Sequence, residues 1–221
     1  MASLYKQIRN IYWGIPQKTK KLLPLVVAEH LVAAFCLNIS VYFKKVDNLN
    51  YDLIGQFVSL YYWGCLLGAL IGGALTLKYR TTKISGVGLM LLSVGFYCLF
   101  SSQNSWLLSI SMFMLGLLGT MIATSNIASL LRTVENDEEA KLKVISLELI
   151  LFNISFSFIT YILLDLNPQQ ILLFVQFVII ILVGIGGWGA IRLLDPIFRA
   201  KPTNTKHVDL FRPRANSREF L

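Results

Sequence analysis

Residues 51–83 read YDLIGQFVSLYYWGCLLGALIGGALTLKYRTTK, an apolar run without charge between Asp52 and Lys78 that stops at the basic turn Lys78, Tyr79, Arg80, Thr81, Thr82, Lys83. The run exceeds the roughly 20 residues a helix needs to cross the hydrocarbon core. It reads as a tilted transmembrane helix that delivers the chain to a short cytoplasmic loop. Gly64, Gly68 and Gly72 recur every fourth residue, with Gly73 beside them. That spacing lines them up on one helix face, where the missing side chains let a second helix approach to backbone contact. The stripe is a packing seam, either within one bundle or between two copies of the chain.

The rest of the chain is of the same kind. Over 221 residues, 55% are hydrophobic and 14% charged, and the mean hydropathy is +0.63. A soluble domain carries roughly 25% charged residues, so this chain has too little polar surface to cover itself in water. Its partner is the lipid bilayer. The net charge of +8 would suit nucleic acid, but the cations cluster at the ends of apolar runs, which excludes a nucleic-acid surface and points to membrane orientation.

Six apolar runs, about 22–43, 53–77, 84–102, 106–131, 144–164 and 170–194, are each long enough to span. Helices satisfy their own backbone hydrogen bonds in lipid, and no run shows the alternation of a barrel strand, so the fold class is all-α. Every Lys and Arg except Lys44 and Lys45 falls on one side of the bundle when alternate connections are counted. The positive-inside rule then puts both termini in the cytoplasm. Three regions follow: a basic N-terminus 1–21 without a signal-peptide cleavage site, a six-helix transmembrane bundle 22–195, and a polar basic tail 196–221. Short connections 101–105 and 165–169 make tight antiparallel neighbours of the helices they join. Cys36, Cys65 and Cys98 all sit in apolar runs and read as small packing residues.

Ionisable and amide groups inside the runs are the functional pointers, because each costs about 2.5 to 3.5 kcal/mol at a helix centre unless it finds a partner or water. Glu29 and His30 lie eight and nine residues past Lys21, roughly 12 to 14 Å into the membrane. As neighbours they point about 100° apart, one toward a cavity and the other toward a neighbouring helix. A carboxylate and an imidazole at that depth suit reversible protonation in a proton or substrate site, the alternative being a static interhelical hydrogen bond. Glu148 lies only five residues past Lys143 and reads as an interfacial anchor neutralised by Lys141 or Arg80. Asn126 and Asn153 are either interhelical glue or ligand contacts. No Ser/His/Asp set, metal spacing, phosphate loop or cofactor fingerprint is present, so neither an enzyme nor a cofactor or metal site is expected.

Six helices with both ends inside and a basic turn between the second and third resemble the amino-terminal half of a major facilitator superfamily transporter. In that superfamily the turn reads Gly, any residue, Leu, Ala, Asp, Arg, any residue, Gly, Arg and Arg or Lys. Here Gly73, Lys78, Arg80 and Lys83 fall in the corresponding stretch, and Leu77 stands where the acid would be. The stretch Gly119, Thr120 to Asn126 is similar to the fourth-helix pattern of proton-dependent oligopeptide transporters, with Thr124 in place of the lysine. Asn153, Ile154, Ser155 resembles that family's Asn-Ile-Gly, and Glu29, His30 lies where it carries Glu-x-x-Glu-Arg, with Val26 for the first Glu.

The resemblance implies proton-coupled uptake of peptides or other small solutes in the plasma (inner) membrane, through a cavity lined by Glu29, His30, Asn126 and Asn153. One half cannot enclose a substrate, so it also implies a second six-helix half or a homodimer. The chain ends at Leu221, about where the superfamily's linker would lead to a seventh helix, so the alternative is a truncated relic or a membrane scaffold.

Overall fold

The computed structural model describes residues 12, 15–79, 81–135 and 137–191, without the side chains of 82, 189, 190 and 191. Arg80, the N-terminal stretch 1–11 and the tail expected at 196–221 lie outside the described residues. Eight helices are described: α1 (Gln17–Lys20), α2 (Leu23–Leu37), α3 (Ile39–Lys45), α4 (Tyr51–Lys78), α5 (Thr81–Ser101), α6 (Ser105–Arg132), α7 (Glu138–Asp165) and α8 (Pro168–Ile191). Five of them are long and apolar enough to cross a membrane, and α2 with α3 passes the same test only as a bent pair, a broken span or a re-entrant loop. The chain is an all-α, multi-pass membrane protein.

Short polar residues start the long helices. Asn50 accepts from Leu53 N–H at 2.9 Å, Asn104 from Trp106 N–H at 2.9 Å and Asp137 from Ala140 N–H at 2.9 Å, each satisfying an otherwise orphaned donor. The α7–α8 turn closes with a reciprocal pair: Gln170 N–H donates to Asn167 Oδ1 at 2.9 Å and Asn167 N–H to Gln170 Oε1 at 3.1 Å. Lys83, expected in the loop, lies in the first turn of α5.

The first run is not the single helix its length predicts. It breaks by 55° at Asn38. The Asn38 side chain donates to Ala34 O at 2.9 Å, and its backbone N–H is shared between the Ala34 and Phe35 carbonyls. An amide that bonds the preceding turn competes with the regular ladder and bends the helix. Past the bend, α3 turns Tyr42 and Phe43 into an aromatic plug with Phe35, Phe57, Phe96 and Phe100, with Tyr42 and Phe100 centroids 4.8 Å apart. Exposed Tyr51, Tyr97, Trp106 and Tyr161 lie at this same end of their helices, as an interfacial aromatic belt would.

Which helices pair shows an approximate internal symmetry, although the exchanged pairs are not equally close. The heaviest contacts pair α4 with α6, α2 with α7, α5 with α6 and α5 with α8, with α8 also touching α2. Exchanging the first three spans (α2/α3, α4, α5) for the last three (α6, α7, α8) maps this pattern onto itself. Three crossings separate equivalent spans, so the two triplets run in opposite directions: an inverted repeat. A pair of clamps obeys the same exchange. Arg132, ending α6, donates to Thr76 O near the end of α4 at 2.9 Å. Lys45, ending α3, donates to Leu163 O and Leu164 O near the end of α7 at 3.1 and 2.7 Å. Each places a cation on the carbonyl end of a helix, one at each end of the bundle.

The glycine stripe is internal. Gly64, Gly68 and Gly72 are buried, and a Cβ on any of them would run into the backbone of Phe113, Leu117 or Met121 of α6. Gly116 answers from α6, seated against the Tyr61 carbonyl. Gly73 meets nothing and stands outside the seam.

Candidate functional site

The second heavy seam, α2 against α7, carries the buried charge. Glu29 and His30 are 6% and 4% exposed near the middle of α2. The imidazole lies between two carboxylates: Nδ1 is 3.0 Å from Glu29 Oε2, and Nε2 is 3.6 Å from Glu148 Oε1 on α7. Both nitrogens are buried and neither has an aligned hydrogen-bond partner. Phe152, one turn beyond Glu148, meets the ring edge-on at 5.6 Å and stacks in turn on Phe156, so the ring plane is held by packing. Adjacent positions on α2 were expected to diverge; the flexible Glu29 side chain instead reaches its neighbour's imidazole.

Glu148 was expected to pair with Lys141 or Arg80. Lys141 is taken by Glu138 at 2.6 Å and Lys143 by Glu139, both within the first turns of α7. Glu148 instead turns to His30, and the sequence reading missed this pairing. The available signal was the rarity of ionisable groups inside spans, which drives those that exist toward one another.

Asn126 lies elsewhere. It is 4% exposed, accepts from Ser85 Oγ at 2.6 Å and donates to Leu25 O at 3.4 Å. Around it Ser125 donates to Thr81 O at 2.8 Å and Ser129 to the Thr81 hydroxyl, a network that ties α6 to the start of α5. Leu25 precedes Glu29 by one turn, so Asn126 sits one level below the charged trio and is occupied with interhelical bonds. Asn153 is exposed and donates to its own Leu149 O at 2.7 Å. Five residues from Glu148, it points about 140° around α7. Four candidate residues therefore occupy three places: Glu29 and His30 together, Asn126 in the network, Asn153 on the outer face.

Lys78 and Lys83 are exposed near the basic turn, with Lys78 Nζ 5.6 Å from the Tyr79 ring. On α4, Tyr61 is buried next to Glu29 and to the thiols of Cys36 and Cys65. A shallow open groove of about 760 Å³ runs along the N-terminal half of α4 past Tyr51, Asp52, Gln56, Ser59 and Trp63, apart from the trio. Among the described residues no group of three or more His, Cys, Asp or Glu could hold a metal ion. What the trio can do is take up and release a proton: an imidazole with each nitrogen facing a carboxylate, in a setting that penalises excess charge. Comparison with protein-family models, with curated proteins and with solved structures finds no match to this chain.

Proposed function

We propose that this chain is one half of a proton-coupled transporter of the major facilitator kind, moving peptides or other small solutes, with a second six-helix half, either another copy or a separate chain, completing the path. The observation that carries the reading is the buried Glu29–His30–Glu148 trio, ionisable groups held across a helix seam where each needs a functional reason. The inverted repeat supports it, since secondary transporters are built on such repeats. So do the outward polar groups Gln56 and Ser59 on α4 and Ser146, Asn153 and Ser157 on α7, which suit a solute path or a second half better than acyl chains. In this reading Glu29, His30 and Glu148 bind the proton, Asn153 meets solute or partner, and Asn126 fixes the helices around them. The basic turn at Lys78, Arg80 and Lys83 faces the cytoplasm across the plasma (inner) membrane.

Proteoliposomes with an imposed proton gradient test it: uptake of small peptides by the wild-type chain is expected to fall at least tenfold when Glu29 and Glu148 are both replaced by Gln. Equal uptake in both proteins would end the proton-coupled reading. The rival, a membrane scaffold, is favoured by one observation, the full engagement of Asn126 inside the bundle. A folded chain that moves no peptide or small solute, alone or with a second half, would establish the rival.

A further inference from the structure

Two polar contacts cross the α2/α3–α7 seam. At the outer end Lys45 holds the Leu163 and Leu164 carbonyls, and inside the bundle His30 faces Glu148. Only the inner contact joins two ionisable side chains, an imidazole and a carboxylate. Glu29 and His30 are neighbours on one helix, so their 3.0 Å contact holds nothing across the seam. Glu148 is also the more open carboxylate, its side chain 21% exposed against 7% for Glu29. Its contact is the looser one, and the His30 nitrogens make no aligned bond that would have to break.

We propose that the α2–α7 seam is a proton-operated latch, and that the proton it answers to binds Glu148 rather than Glu29. This rests on the reading of the trio as a proton site. An imidazolium between two carboxylates leaves one negative charge in excess. A single proton, delivered by water to Glu148, forms an O–H there and brings the trio to neutrality. The Glu29–His30 pair stays intact on α2, while the attraction across to α7 drops from an ion pair to a neutral contact. The other titratable group beside the trio is Tyr61 of α4, next to Glu29; the thiols of Cys65 on α4 and Cys36 on α2 lie against Tyr61 rather than against the trio. On α6 the only cation, Arg132, is turned to Thr76 O; on α5, Lys83 is exposed; the described part of α8 has no ionisable side chain. Glu148 is therefore the group whose charge the seam reads.

The test is hydrogen–deuterium exchange of the full chain in lipid nanodiscs across pH, followed on α7 around Glu148. Wild type is expected to exchange several-fold faster below a single pH step, Glu148→Gln to exchange fast at every pH, and Glu29→Gln to keep the step at a lower pH, because the excess negative charge that favours protonation is gone. A step that survives Glu148→Gln, a step abolished by Glu29→Gln, or no step in wild type would each overturn the latch. Infrared difference spectra of Glu29→Gln give a readout that does not depend on Glu148→Gln folding: a protonated carboxyl band must appear on acidification, and its absence overturns the assignment. Uptake on the same proteins separates this from the transport reading. The step without any solute movement keeps the latch and removes transport; proton-driven uptake that survives Glu148→Gln removes the latch and keeps transport.

Discussion

The α4–α6 and α2–α7 seams occupy equivalent places in the inverted repeat, yet they are closed by opposite means. On α4 and α6, four glycines remove the side chains and let backbone meet backbone. Such contact is stabilised by dispersion and by close Cα–H···O approaches, and nothing in it titrates. On α2 and α7, three ionisable side chains fill the space, at a desolvation cost that only mutual pairing and shared protons offset. One seam is thus built only from groups that cannot titrate and the other around groups that can.

Overfilling the fixed seam should produce the largest effect. Gly68→Leu has backbone of Leu117 on the far side, which cannot rotate away as a side chain would. Destabilisation is expected at or beyond the ~3 kcal/mol upper end of ordinary overpacking. Loss of a folded, monodisperse species in detergent and a collapse of the thermal midpoint would show it; a midpoint within a few degrees of wild type would mean the two helices are not in backbone contact.

The responsive seam should yield less, and its loss should be repairable. His30→Leu strands two carboxylates beside each other, at a cost of about 1–3 kcal/mol for buried groups left without partners. Adding Glu148→Gln removes one of those charges, so the double variant is expected to recover part of the thermal midpoint at neutral pH. Strict additivity of the two changes would indicate that Glu148 does not sense His30 at all.

Much of this architecture was readable from periodicity alone. Lipid demands that each apolar run satisfy its own backbone, so the run lengths located the five long spans and the stretch that forms the bent pair, and four-residue glycine spacing located the tight seam. The break at Asn38 was hidden because an asparagine inside an apolar run is compatible with either a bend or a bridge to another helix. The His30–Glu148 contact was hidden for a different reason. It depends on the axial register of α2 against α7, helices far apart in the chain, and no local pattern encodes that register. Lys45 and Arg132 were counted only as topology markers, although each also caps the end of a distant helix.

The finest test of the contrast compares adjacent residues. Gly72 and Gly73 sit side by side in α4, and the four-residue spacing takes in Gly72 but not Gly73. The structure separates them: a Cβ at Gly72 lands against the Met121 backbone, while one at Gly73 meets nothing within 4 Å. Replacing a helical glycine by alanine removes backbone entropy from the unfolded chain, so Gly73→Ala is expected to stabilise the protein by about 0.5–1 kcal/mol. Gly72→Ala gains the same entropy term but must push α6 away, and the net effect should be destabilising. Thermal midpoints moving in opposite directions would show that the seam is one helix face wide. A fall in both would extend it past Gly73, and a rise in both would mean that α4 and α6 stand further apart than backbone contact requires.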